Sequence, residues 1–387
     1  MTASRKKQLR TGFSTGSAAA AAAKAALSHL LGRPLAGPVS IPLPSGERLE
    51  IALAESRLPA GDQAESRLLA ESRLLAEAVV IKDAGDDPDV THHARISAQV
   101  ELLPPGPGPA LELKGGPGVG LVTRPGLPVP VGQPAINPGP RGMIAAALAE
   151  AWQEAGPGGE LRAAVTIAVE NGAELAKRTL NPRLGIVGGI SILGTSGLVK
   201  PLSHEAYTAT IESALSVARA AGIDETVLTT GGRSEKRAMA LRPDLPPQAF
   251  VQIADYFAFA LTAAVKSGMT TIGLVSYFGK AVKQAQGLAC THAHRAAMDL
   301  ATLADWLREA PAPAGLVVEV AGANTARHVL EILTEAGRLD LTAVVVPRLI
   351  AAARQIVGPG PELWAVMLDS EGGVLYRGQQ PGREGRA

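Results

Sequence analysis

Residues 82–93 read Lys-Asp-Ala-Gly-Asp-Asp-Pro-Asp-Val-Thr-His-His, which packs four carboxylates and two imidazoles into one short stretch. Such a cluster can move protons, contact a substrate, hold a metal, or cap its own turn through aspartate side chains. It lacks the twelve-residue calcium-loop pattern, which leaves a resident metal as the weakest of these readings. Residues 11–17 read Thr-Gly-Phe-Ser-Thr-Gly-Ser just ahead of an alanine run. Hydroxyls, glycines and the positive end of a helix make a candidate anion cradle, and an elaborate N-cap competes with it.

Two further glycine-containing segments follow apolar runs. Residues 185–197 read Gly-Ile-Val-Gly-Gly-Ile-Ser-Ile-Leu-Gly-Thr-Ser-Gly, matching neither the dinucleotide fingerprint nor the phosphate loop with its Gly-Lys-Ser/Thr. A nucleoside-type ligand is compatible with it, as is a tight strand-to-helix turn. Residues 229–236, Thr-Thr-Gly-Gly-Arg-Ser-Glu-Lys, offer amides, hydroxyls and two cations where a carboxylate or the polar end of a cofactor could dock. His292 and His294 are two apart, whereas four would share a helix face, so they make a poor zinc pair. Cys290 has no neighbouring motif for a nucleophile and reads as a small buried hydrophobe.

The elements that must position these residues follow from periodicity. A helix starts near Ser17, strands run over 39–43 and 48–53 around a Pro-Ser-Gly turn, and strands over 78–82 and 94–103 bracket the acidic stretch. Ala-Glu-Ser-Arg-Leu occurs three times, at 54–58, 64–68 and 70–74. Copies this short do not make a solenoid, and they read as a local duplication in a surface loop or exposed helix. Residues 104–142 are dense in Pro and Gly and predict a long ordered loop or binding lid, well beyond the usual ~4 to 6 residues. A helix over 143–154 and a strand over 163–170 follow. From about residue 184 strands and helices alternate: strands at 185–193, 225–230 and 271–276, helices at 203–221, 252–266 and 279–308. The fold class expected is an amino-terminal α+β domain over 1–183 and a Rossmann-like α/β domain over 184–387 with carboxy-terminal strands and helices. Ligands of such sheets sit beyond the carboxyl ends of the strands.

Composition narrows the function. The 387 residues, 46% hydrophobic and 19% charged, predict two or three packed domains. Thirty-seven basic against 36 acidic side chains leave a net charge of +1, without the positive field that nucleic acid or an anionic membrane demands. Any anion must be held locally. Aromatics at 3% are too few for stacking on single strands. One cysteine excludes an internal disulfide and every multi-cysteine metal site. No run approaches the ~18 to 20 apolar residues of a membrane span. A cytoplasmic protein that could form a homo-oligomer is expected.

Several ordered motifs together carry a resemblance. Residues 9–16, Leu-Arg-Thr-Gly-Phe-Ser-Thr-Gly, the stretch 82–92, residues 118–127, Gly-Val-Gly-Leu-Val-Thr-Arg-Pro-Gly-Leu, residues 135–141, Ala-Ile-Asn-Pro-Gly-Pro-Arg, and 192–197, Ile-Leu-Gly-Thr-Ser-Gly, closely resemble the cobalt-precorrin-5B C1-methyltransferase family, CbiD type. The resemblance runs from about residue 9 to at least residue 340. It implies a transferase of anaerobic cobalamin biosynthesis that uses S-adenosylmethionine to methylate ring carbon C1 of cobalt-precorrin-5B, giving cobalt-precorrin-6A. The cobalt arrives in the corrinoid substrate, so no protein-bound metal is implied. Neighbouring cobalamin-pathway enzymes are compatible partners.

On that basis the cofactor is expected at Gly194, Thr195, Ser196, Gly197, Gly231, Gly232 and Arg233, all placed on the alternating domain. The corrinoid is expected between the two domains, against Thr11, Ser14, Thr15, Ser17, Asp86, Asn137 and Arg141, with Asp87 or His92 as the base. Two departures stand out. Tyr277-Phe278-Gly279-Lys280 stands where the family pattern has His-Pro-Gly-Lys, and Thr291-His292-Ala293 where it has Thr-His-Ser, which weakens roles for Lys280 and His292. A non-catalytic corrinoid carrier is the alternative. A small-molecule kinase is disfavoured, because no phosphate-loop lysine stands beside residues 11–17.

Overall fold

The computed structural model describes residues 9–58, 75–292 and 297–382, and the chain divides into two compact units, Met1–Ser203 and His204–Ala387. Among the described residues no helix is long and apolar enough to cross a membrane.

The first unit is built on one helix, α1 (Thr15–Leu30). Alanine has the highest helix propensity and almost no bulk, so a run of it folds locally and admits neighbours on every side. Every residue from Thr15 to Ser28 is buried. Around α1 lie β1 (Glu55–Arg57), β2 (Leu75–Ile81), β3 (Arg95–Leu102), β4 (Leu111–Gly115), helix α2 (Pro138–Ala155) and β5 (Ala163–Val169). The strands form one sheet in the order β1-β2-β3-β5-β4, antiparallel except for the β5/β4 pair. Alternation sets its inner face: Ile96, Ala98 and Val100 of β3 point into the core that also holds α1 and α2.

The core of α1 contains one charge. The Lys24 ammonium is 4% exposed and donates to Glu150 Oε2 (2.9 Å) and Glu154 Oε1 (3.0 Å), one turn apart on α2. Glu150 Oε1 also accepts from Arg48 Nη1 at 2.9 Å. A buried ammonium without such partners would destabilise the packing by several kcal/mol.

Several expectations change here. The Pro/Gly-rich stretch contains β4, whose short Leu-Glu-Leu-Lys alternation sits on the sheet edge. The first Ala-Glu-Ser-Arg-Leu copy contributes edge strand β1, neither loop nor helix, and the other two copies lie outside the described residues. The apolar segment 185–193 is not a strand of the alternating region. Ile186–Val187 pairs with Leu121–Val122, Gly189–Ile190 with Gly118–Val119, and Ile192 bridges to Ile136. These pairings tie it to the first unit, so the division falls after Ser203 and not after residue 183.

The second unit contains α3 (His204–Ala220), β6 (Glu225–Thr229), α4 (Gly232–Leu241), β7 (Phe250–Gln252), α5 (Phe257–Lys266), β8 (Thr271–Tyr277), α6 (Phe278–Ala285), α7 (Leu300–Glu309), α8 (Ala314–Ala321), α9 (Ala326–Glu335), α10 (Val345–Val357), β9 (Glu362–Leu368) and β10 (Val374–Gln380). Its sheet runs β7-β6-β8-β9-β10, the first four strands parallel and β10 antiparallel. Along β8, Ile272 and Leu274 join the large helical core while Val275 faces α4, so both faces are covered. The expected helix over 252–266 begins only at Phe257, after β7 and a turn. The expected helix over 279–308 is broken between Ala285 and Leu300, with Asp299 capping the second piece.

The Lys24 network has a pH signature. Arg48 holds the Glu150 carboxyl at about 2, against burial that raises it and with help from Lys24, compared with an ordinary 4.5. A carboxylate with a depressed folded value stabilises the fold above its unfolded value and loses that contribution as pH falls. Glu150→Gln should therefore lower the urea midpoint at pH 7, and the difference from the parent protein should shrink between pH 4.5 and pH 2, as denaturation at stepped pH would show.

Candidate active site

Three distant segments of the first unit interlock. Residues 10–13 cross 83–86: the Phe13 amide donates to Asp83 O (2.8 Å), the Asp86 amide to Arg10 O (2.9 Å), and Thr11 bridges Gly85. The crossing is too close for side chains. A Cβ on Gly12 would lie 2.2 Å from the Ala84 carbonyl carbon, and one on Gly85, where φ is +68°, would lie 2.1 Å from Arg10 O. On its other side Gly12–Phe13 pairs with Leu198–Val199, and the amides of Ser14 and Gly16 donate to Gly197 O (2.9 Å) and Leu193 O (3.1 Å).

The expected anion cradle is closed by these contacts. Ser14 Oγ accepts from the Ser17 amide (3.1 Å), Thr15 Oγ1 accepts from the Leu193 amide (2.9 Å), and Ser17 Oγ donates to Gly197 O (2.6 Å). All three hydroxyls are buried, so they cap α1 and brace the 191–197 loop. Of the four expected contacts in this segment, Thr11 alone is exposed.

The acidic loop divides into fully paired and singly held side chains. Lys82 Nζ, 1% exposed, donates to Asp89 Oδ2 (2.6 Å), and Asp89 Oδ1 takes the Thr91 amide (2.7 Å) and hydroxyl (2.6 Å). Burial raises the Asp89 carboxyl, but Lys82 and Thr91 outweigh it and hold it below the usual value. Asp83 grips the Arg10 guanidinium with both oxygens, which draws its pKa down to about 2. Asp86, Asp87 and His92 are held differently: each accepts one backbone N–H. Arg10 N meets Asp86 Oδ2 (2.8 Å), Leu202 N meets Asp87 Oδ1 (2.9 Å), and Ala84 N meets His92 Nδ1 (3.0 Å). None of these bonds uses the second polar atom of its side chain. Among the described residues no three His, Cys, Asp or Glu side chains could share a metal ion.

Asn137 precedes α2, and its amide donates to Ile192 O (3.0 Å) while its side chain makes no capping bond. The Arg141 Nε donates to Ile136 O at 2.7 Å, fixing the start of the same helix. Gly194 to Gly197 belong to this unit. Thr195 and Ser196 are exposed, and Gly194 stands against Ser14, where an added Cβ would come within 2.4 Å of its Cβ. Their expected place on the alternating region is thereby corrected.

In the second unit the carboxyl ends of the parallel strands gather another polar group. Gly231, with φ of +153°, turns the chain from β6 into α4. The Arg233 guanidinium lies 5.3 Å from the centroid of the Tyr277 ring and donates to Ser370 O (2.9 Å). Lys280 Nζ stands 3.1 Å from Asp255 Oδ1 and donates to Ala254 O (3.1 Å), while Thr291 Oγ1 donates to the same Asp255 oxygen at 2.8 Å. Burial raises the Asp255 carboxyl, and Thr291 and Lys280 more than reverse it. Cys290 is half-buried, not fully buried, and His292 is exposed; His294 lies outside the described residues. Sequence reasoning missed the Lys82/Asp89 pair and the Arg233/Tyr277 stack, because neither partner of either pair carries a spacing signal.

Comparison with known proteins adds the lineage. The CbiD family model matches residues 2–201, and the model of the CbiD C-terminal domain matches residues 290–379. The chain belongs to the CbiD family. A cobalt-precorrin-5B C(1)-methyltransferase of Nitratidesulfovibrio vulgaris is 49% identical over 91% of this chain and 88% of that protein. Enzymes of the same name from Geobacillus kaustophilus and Thermus thermophilus are each 43% identical, over 92% and 95% of this chain and 91% and 93% of their own lengths. A crystal structure of cobalamin biosynthesis protein (cbiD) from Archaeoglobus fulgidus is 22% identical over 85% of each chain, with a TM-score of 0.37. This CbiD-family chain is thus an enzyme, a methyltransferase of cobalamin biosynthesis.

The backbone crossing makes a prediction. Gly12→Ala or Gly85→Ala must push two main chains apart, and either should cost at least about 2 kcal/mol in thermal or urea unfolding. Gly46→Ala, at a turn with open space around it, should cost less than either.

Proposed function

We propose that this enzyme transfers a methyl group from S-adenosylmethionine to ring carbon C1 of cobalt-precorrin-5B, giving cobalt-precorrin-6A and S-adenosylhomocysteine. The observation that carries this reading is the meeting of residues 10–17, 83–92, 137–141 and 191–202 on the first unit, with Asp86, Asp87 and His92 each anchored by one backbone amide. The relatives named for this reaction support the substrate. A corrinoid carrying acetate and propionate arms suits a nearly neutral protein that recognises charge locally, and its cobalt enters as part of the substrate.

The parallel strands in the order second, first, third and fourth, with helices on both faces, support a Rossmann-like reading of the second unit. Its residues fit the cofactor. No atom stands within 4 Å of where a Cβ on Gly231 would lie, so the backbone there is open to a ligand. The first amides of α4 and the Arg233 guanidinium suit the carboxylate of a methionyl group. When bound, S-adenosylmethionine supplies an electrophilic methyl on a sulfonium sulfur. The protein's share is alignment, exclusion of water and removal of one proton from the methylated ring. Asp87 and His92 are the candidates for that proton, with Thr11, Asp86 and Asn137 as contacts of the ring.

Anaerobic incubation with methyl-labelled S-adenosylmethionine and cobalt-precorrin-5B should place label at C1. Tight corrinoid binding without transfer would replace this reading with that of a carrier. The double variant Asp87→Asn, His92→Ala should lose about 100-fold or more in turnover at saturating corrinoid. Arg233→Ala should weaken S-adenosylmethionine binding by about tenfold or more in calorimetry, the worth of one charge-assisted contact.

A further inference from the structure

We infer that His92 meets the corrinoid as a hydrogen-bond donor through Nε2 and is not the base; this rests on the first-unit surface being the corrinoid site. The Ala84 amide points its hydrogen at His92 Nδ1 across 3.0 Å. A neutral imidazole carries its proton on one nitrogen and a lone pair on the other. An N–H aimed at Nδ1 demands the lone pair there, which puts the proton on Nε2.

The groups facing the ring bear this out. Among the described residues the carboxylate oxygen paired with Nδ1 is Asp83 Oδ1, and it stands 3.8 Å away, beyond hydrogen-bond range. That oxygen already accepts from Arg10 Nη2 (2.8 Å) and the Gly85 amide (2.9 Å). On the other side His93, at φ of +63°, lays its ring against His92 with centroids 3.7 Å apart, fixing the plane of the imidazole. In the same loop, Lys82 and Asp89 neutralise each other.

A neutral His92 so held has no lone pair at Nε2 with which to take a proton. Protonation at Nδ1 would set two N–H groups against each other and break the Ala84 bond. What His92 can offer is its Nε2 hydrogen, to an oxygen of the substrate. The proton released after methylation then goes to Asp87. Its bond to the macrocycle breaks, the electron pair returns to the ring, and an O–H bond forms on the carboxylate whose other oxygen Leu202 N holds.

The first test needs no substrate. In protein labelled with 15N-histidine, the His92 nitrogens, identified by their loss in His92→Asn, should show a protonated Nε2 and an unprotonated Nδ1 in the neutral form; a protonated Nδ1 would overturn the inference. The second is kinetic. His92→Gln keeps an N–H donor near the Nε2 position and should hold KM for the corrinoid within about threefold, whereas His92→Asn should raise it about tenfold with kcat nearly unchanged. Asp87→Asn should lose kcat by about 100-fold or more. Loss of kcat at unchanged KM in both His92 variants would restore His92 as the base. A parent enzyme that binds no corrinoid would remove the contact and the site reading together, even with the tautomer as described.

Discussion

Everything in the first unit hangs on two main chains passing within contact distance at Gly12 and Gly85. That crossing joins the start of α1 to the acidic loop, and the pairing of Gly12–Phe13 with Leu198–Val199 adds the third segment. Residues separated by nearly the whole unit thus share one rigid framework. Because the joints are backbone hydrogen bonds in a crowded place, the framework tolerates no Cβ and little slack. The anchoring of Asp86, Asp87 and His92 is a direct product: each accepts an amide hydrogen whose position the crossing or its neighbours determine.

Charge on this unit is sorted by how fully it is paired. Lys24 and Lys82 are buried, and each meets carboxylates at hydrogen-bond distance, so their role is to keep packed elements in register. Asp83 is likewise saturated by Arg10, and a carboxyl held near 2 is a poor proton acceptor at neutral pH. Asp86 and Asp87 belong to the same twelve-residue run but are held by one amide each. The loop therefore separates adjacent aspartates into fully paired and singly held side chains through their partners, although their chemical type is identical.

Much of this was legible in the sequence, for reasons that differ by element. The alanine run announced α1, and the hydroxyl cluster ahead of it announced a cap; Ser14 does cap the Ser17 amide, but residues 191–197 arrive to engage the Thr15 and Ser17 hydroxyls. Such long-range partners leave no local trace. The alternating strands of the second unit were readable from Glu225 onward, but β7 was lost because Phe250–Gln252 runs into a helix after a single turn. The boundary was set too early because the apolar Gly185–Leu193 segment has the composition of a buried strand, while its pairing with Gly118–Val122 depends on the preceding Pro/Gly-rich stretch, which carries no periodicity to read. Asp86, Asp87 and His92 were singled out as candidates by the density of carboxylates and imidazoles in residues 82–93. Which of their neighbours would be buried in ion pairs could not be.

Tyr277 bears on the anion site proposed for the second unit. There the chain presents a phenol ring with the Arg233 guanidinium 5.3 Å from its centroid. An arginine on an aromatic face keeps its charge while losing rotamer freedom, so less entropy is lost when a carboxylate binds its edge. The Ser370 carbonyl fixes the guanidinium from a third loop. Lys280, by contrast, is already committed to Asp255 and to the Ala254 carbonyl, and so ties the start of α6 to the turn that follows β7. The two cations thus differ in their partners: Lys280 is held by Asp255 and the Ala254 carbonyl, and Arg233 by the Tyr277 ring and the Ser370 carbonyl.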